Sequence, residues 1–163
     1  MEHGEALAPD LYADLWAAVE QAKAARSRDD LVGALVAHAR SAARGHSGDD
    51  RAAALISLAA TLRSAGRSSD ALETAQEARA LTDDVRIRVI SMTCEVAILC
   101  DQRRDEEARR LGESALELLS TPFLLRALGR AWMQGFHATG LEDFRDQADE
   151  YFVLAEARSV ATA

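Results

Sequence analysis

Ala52–Thr82, AAALISLAATLRSAGRSSDALETAQEARALT, decides how the rest of the chain reads. Leu55, Leu58, Ala59 and Leu62 follow the i, i+3, i+4, i+7 spacing of one helix face. Gly66 breaks that pattern where a helix would end in a left-handed residue. Ser68, Ser69 and Asp70 then offer side-chain oxygens to cap a second helix. This second helix carries Ala71, Ala75 and Ala78 on one stripe, with Leu72 and Leu81 beside it. Three alanines at such spacing let two helix axes approach closely, because no bulk separates them. A connection this short makes the helices antiparallel. Neither helix is apolar enough to stand alone, so the hairpin needs neighbours.

The chain on either side repeats the plan. Residues 1–8 read as a mobile N-terminus. A helix then runs from about Pro9, which suits a first turn, with Leu11, Leu15, Ala18, Val19 and Ala22 on its apolar face. Its partner carries Leu31, Ala34, Leu35, His38 and Ala42. Beyond the quoted stretch, Asp83 and Asp84 start the most apolar helix of the chain, Val85 to Leu99, which is expected to be buried on most sides. Its partner shows Ala108, Gly112 and Ala115 on one face. Pro122 opens a last pair. Helical hairpins are thus expected at 9–44, 50–82, 84–119 and 122–158, in one domain over 9–163. Ala34, Ala71 and Ala108 recur every 37 residues, and Ala148 follows 40 later.

The spacing Leu55-x2-Leu58-Ala59-x2-Leu62, followed by Ala71-x3-Ala75-x2-Ala78, resembles a tetratricopeptide repeat, whose pattern is W-x2-L-G-x2-Y and then A-x3-F. Leu stands for the Trp and the Tyr here, Ala for the Gly, and Ala75 for the Phe. The last hairpin is closer: Leu125-x2-Leu128-Gly129-x2-Trp132, then Ala148-x3-Phe152. Between Trp132 and Ala148 it is about seven residues longer than the family pattern. The resemblance implies a right-handed α-solenoid of about four hairpins; an ordinary eight-helix bundle is the alternative.

Composition narrows the function. The net charge of −8 and pI near 5.0 disfavour nucleic acid or an anionic membrane as partner. Abundant Ala and few β-branched residues agree with an all-α chain. Lys23 is the only Lys among the basic residues, an arginine bias that suggests a GC-rich, bacterial genome. No stretch is long and apolar enough to span a bilayer, and the acidic N-terminus lacks a secretory signal's apolar core. The expectation is a soluble cytoplasmic protein. Cys94 and Cys100, six apart on one helix, point to different faces and make a poor disulfide.

No catalytic constellation can be assembled, so an enzyme is not expected. The acidic pairs Asp29/Asp30, Asp49/Asp50, Asp83/Asp84 and Asp105/Glu106 all sit at helix starts, where carboxylates accept free N–H groups. Gly45-His46-Ser47-Gly48 lacks the final Gly and the preceding strand of a nucleophile elbow. The histidines, His3, His38, His46 and His137, are scattered, and neither a metal nor any other cofactor is implied.

In tetratricopeptide proteins the first helices of successive hairpins line a concave groove that binds a peptide or helix. The resemblance therefore implies a groove face with Ile56, Ala60 and Arg63 from one hairpin. Another would contribute Arg126, Arg130, Met133 and Gln134. Arg126 and Arg130 lie one turn apart and could hold a partner carboxylate; surface salt bridges to their neighbours fit the same positions. The last helix carries Phe144, Tyr151, Phe152, Val153 and Leu154, more apolar surface than one stripe needs: either more chain contacts it, or two copies pack end to end as a homodimer through Phe144, Tyr151, Val153 and Leu154. A scaffold or adaptor for another protein is the leading reading. A regulatory sensor for a small acidic or peptide signal is the alternative.

Overall fold

Left-handed corners and side-chain caps set where the helices start and stop. In the computed structural model, which describes Gly33 and residues 48–161, six long helices follow one another. They are α1 (Gly48–Ser64), α2 (Ser68–Ala80), α3 (Val85–Asp101), α4 (Asp105–Leu118), α5 (Pro122–Thr139) and α6 (Glu142–Ala161). No strand occurs among the described residues, so the chain is all-α over this range. The expected mobile terminus (1–8) and first hairpin (9–44) lie outside the described residues. The chain divides into two compact units, Met1–Leu81 and Thr82–Ala163.

In the first unit α1 and α2 form the hairpin expected from residues 52–82. The Arg51 guanidinium, at the start of α1, pairs with Glu77 near the end of α2 at 2.8 Å, which fixes them antiparallel. Ala52, Leu55, Leu58, Ala59 and Leu62 are buried on α1, and Ala71, Ala75 and Ala78 on α2. The corner is a Schellman turn. Gly66 (φ 79°) donates its N–H to Arg63 O at 3.0 Å, and Arg67 donates to Leu62 O at 2.9 Å. The sequence offered Ser68, Ser69 and Asp70 as caps, and here the structure differs. The turn leads into α2 so directly that Arg67 is the N-cap residue, with no side-chain cap. The serines and Asp70 fall in the first turn, where Asp70 accepts from Arg67 Nε at 2.7 Å.

The second unit uses the same corner. Arg103 (φ 62°) donates to Cys100 O and Arg104 to Leu99 O, at 3.1 and 2.9 Å. Arg104 is an N-cap with no side-chain cap, and its Nε donates to Glu107 at 2.8 Å, as Arg67 does to Asp70. The two corners lie 37 residues apart, and Gly140 (φ 71°) lies 37 beyond the second. Burial recurs at the same interval. Ala52, Ala54, Leu55, Leu58, Ala59 and Leu62 on α1 correspond to Val89, Ser91, Met92, Glu95, Val96 and Leu99 on α3, every one of them buried. The expected burial of α3 therefore holds, apart from the outward Val85 and Ile90.

Asp84 starts α3 by accepting from the N–H groups of Arg86 and Ile87 at 2.8 and 3.0 Å. Thr121 caps α5 through Leu124 N–H, with Pro122 in the first turn. The seven residues in excess of the repeat pattern are absorbed as helix, since α5 continues to Thr139 and α6 runs to Ala161. Val89, Met92, Ala115, Leu124 and Leu128 form the centre of the core, with Leu111, Trp132 and Tyr151 packed against it. Arg126 near the start of α5 reaches Glu156 and Ser159 near the end of α6, so these two helices are antiparallel.

Candidate functional site

Helix α5 packs against α3, α4 and α6, which leaves one outward stripe: Phe123, Arg126 and Arg130, at i, i+3 and i+7. Phe123 is 73% exposed. The two arginines reach opposite neighbours. Arg130 bonds Asp101 at the end of α3 at 2.5 Å, while Arg126 bonds Ser159 at 2.9 Å and approaches Glu156 at 3.4 Å. Ion pairs this exposed hold about 0–1 kcal/mol, so an incoming carboxylate can replace either partner at little cost.

The other groove candidates are placed differently. Met133 and Gln134 are half-buried. With its amide turned so that both ends are satisfied, Gln134 donates to Cys100 O at 3.2 Å and to Asp105 Oδ1 at 2.8 Å. It therefore ties α5 to the α3–α4 corner. Arg63, half-buried in the last turn of α1, belongs to the first unit, as do Ile56 and Ala60.

The apolar surplus on α6 resolves into two faces. Phe144 packs its ring on Trp132, with centroids 5.1 Å apart; Tyr151 packs on the core, and the Phe152 ring lies over Gly129. Phe144 and Phe152 face inward because α5 offers a ring opposite the first and a glycine opposite the second. Val153 and Leu154, at 68% and 42% exposure, remain outward, together with Val160. Of the four residues expected to mediate self-association, only Val153 and Leu154 thus form outer surface.

A cleft of about 350 Å³ opens where α4 begins and α5 ends, with Phe144 of α6 on one wall. Its floor carries Arg109, which sequence reading did not single out. The guanidinium carbon lies 5.1 Å from the Trp132 ring centre and 4.9 Å from that of Phe144. With the 5.1 Å between the rings, the three groups form a nearly equilateral triangle. Gly135 makes room for this arrangement, since a Cβ there would stand 2.7 Å from Arg109 Nη1. Nη1 is buried without an acceptor, and so is the indole Nε1 of Trp132. A signal for Arg109 did exist: it stands 37 residues after Leu72, which is a core residue of the α1–α2 hairpin.

The acids on this cleft are already engaged. Asp105 faces the Gln134 amide, Glu106 pairs with Arg110, and Glu107 accepts two bonds from Arg104 at 2.8 and 2.6 Å. The bonds from Arg104 hold the Glu107 carboxyl below the usual carboxylate range.

Among the described residues no cluster of His, Cys, Asp or Glu could hold a metal ion. Cys94 and Cys100 are free thiols, the first half-buried and the second buried. His137 is exposed beside the Phe136 ring. No described helix is long and apolar enough to cross a membrane. No protein-family model, curated protein or solved structure matches the chain.

Proposed function

We propose that this protein is a tetratricopeptide-type scaffold, a right-handed solenoid of helical hairpins without catalysis of its own. In this reading a partner peptide or helix lies across the first helices of the hairpins, and the protein works in the cytoplasm as an adaptor. The observation that carries the reading is the outward stripe of α5. It combines an aromatic side chain, Phe123, with two arginines whose present ion pairs are exposed and exchangeable. Aromatic and Arg side chains are the types enriched at the centres of protein interfaces. The corners at Gly66, Arg103 and Gly140, each 37 residues from the next, support the solenoid part of the reading.

The test is affinity capture from the native host's lysate, with the wild-type chain and an Arg126→Glu/Arg130→Glu form as parallel baits, followed by crosslinking. A protein retained by the wild type, lost from the variant and crosslinked to α5 is the expected result. Equal capture by both baits would remove the stripe from the binding surface. Capture by neither would argue against the scaffold itself. Circular dichroism of the variant establishes that any loss is not a loss of fold.

A further inference from the structure

We propose that the cleft at the start of α4 is a binding site for a small organic acid, with Arg109 as the group that receives its carboxylate. Arg109 makes no hydrogen bond or ion pair among the described residues, although it lines the cleft and is half-buried there. A guanidinium in that state has given up part of its hydration without receiving an acceptor, and only the two rings offset its charge, so an anion entering the cleft meets unfilled donors. The acids around it do not answer it: Asp105, Glu106 and Glu107 are committed to Gln134, Arg110 and Arg104.

The geometry also selects the ligand class. Trp132 and Phe144 lie beside the guanidinium and Nη1 is buried against Gly135, so Nε and Nη2 are the donors left to a ligand. A planar carboxylate matches such donors two at a time. The three carboxylates at the rim oppose a multiply charged phosphate more strongly than a singly charged acid. Phe144, Ala138 and the Thr139 methyl offer apolar wall to the body of the ligand, so an aromatic acid fits better than a bare anion. This site lies at the opposite end of α5 from Phe123 and is independent of partner binding there.

Benzoate is the probe, with inorganic phosphate as the comparison, in ligand-observed NMR and calorimetric titration of the full chain. Wild-type protein is expected to bind benzoate with a Kd of about 1 mM or tighter, which one bidentate pair and a ring contact can supply. Arg109→Gln should weaken this at least about tenfold. Gly135→Ala keeps the charge but displaces the guanidinium from its seat, and should weaken binding as well; it serves as the test if Arg109→Gln fails to fold. Unchanged affinity in the folded variant, or no benzoate binding at about 10 mM, would overturn the site. Phosphate binding in preference to benzoate would overturn the ligand class.

Discussion

Leu128 on α5 occupies the space into which a side chain on Gly112 of α4 would grow. A Cβ at Gly112 would come within 2.5 Å of Leu128 Cδ2 and 2.7 Å of Cγ. Leu128 is fully buried in the centre of the core, so it cannot turn aside. Gly112→Ala sets a helix-propensity gain of about 1 kcal/mol against overpacking of about 1–3 kcal/mol. Overpacking is expected to win, with a net loss of up to about 2 kcal/mol, read as a lower urea midpoint at unchanged slope. A gain in stability would mean that α4 and α5 can move apart freely.

The cap at Asp84 gives a cleaner number. Its carboxylate holds two N–H groups of the first turn of α3. Asp84→Ala should lower stability by about 1 kcal/mol, and Asp84→Asn by much less, because the amide oxygen can still accept. Thermal denaturation of the two variants side by side measures the difference.

Arg103 bears a backbone conformation that suits glycine. The left-handed region costs an ordinary residue about 1–2 kcal/mol, and glycine returns about half of that as extra entropy in the unfolded chain. Arg103→Gly is therefore expected to stabilise the protein by about 0.5 kcal/mol. Gly66→Ala, at the equivalent corner, should destabilise it. Equal and opposite shifts in urea midpoint would show that the two corners bear the same strain.

Tyr151 couples stability to alkaline pH. Burial, and then the negative charges of Glu113 and Glu150, raise its phenol above the ordinary value of 10.0. The folded chain thus keeps the proton after the unfolded chain has released it. The stabilisation is complete below pH 10 and is lost as pH rises from there through the folded-state value. Tyr151→Phe should flatten that decline. Absorbance at alkaline pH, compared with stability measured over the same range, tests the link.

The helices were legible because their punctuation is local. Gly66, Asp84 and Pro122 act within a few residues of themselves, and each falls at a helix end. The caps of α2 and α4 were not legible, because a Schellman turn decides how far the chain rotates before the next helix begins. The direction of the aromatic side chains on α6 was equally hidden. Phe144 and Phe152 look like excess apolar surface until Trp132 and Gly129 are brought beneath them by the packing of α5. The Arg109 cleft joins three helices, and nothing adjacent in sequence marks it beyond an arginine standing where the preceding hairpin has Leu72.

The 37-residue interval between corners also says how the chain could be shortened. Removing residues 67–103 would join Gly66 directly to Arg104, with the same hydrogen bonds available at the junction and an arginine–acid pair still straddling the start of the next helix. Helix α1 would then present Leu55, Leu58, Ala59 and Leu62 at the positions held by Met92, Glu95, Val96 and Leu99 on α3. Such a chain drops one hairpin's length together with one corner, so its length is countable in whole units, and an edit that respects the unit leaves every remaining turn correctly phrased.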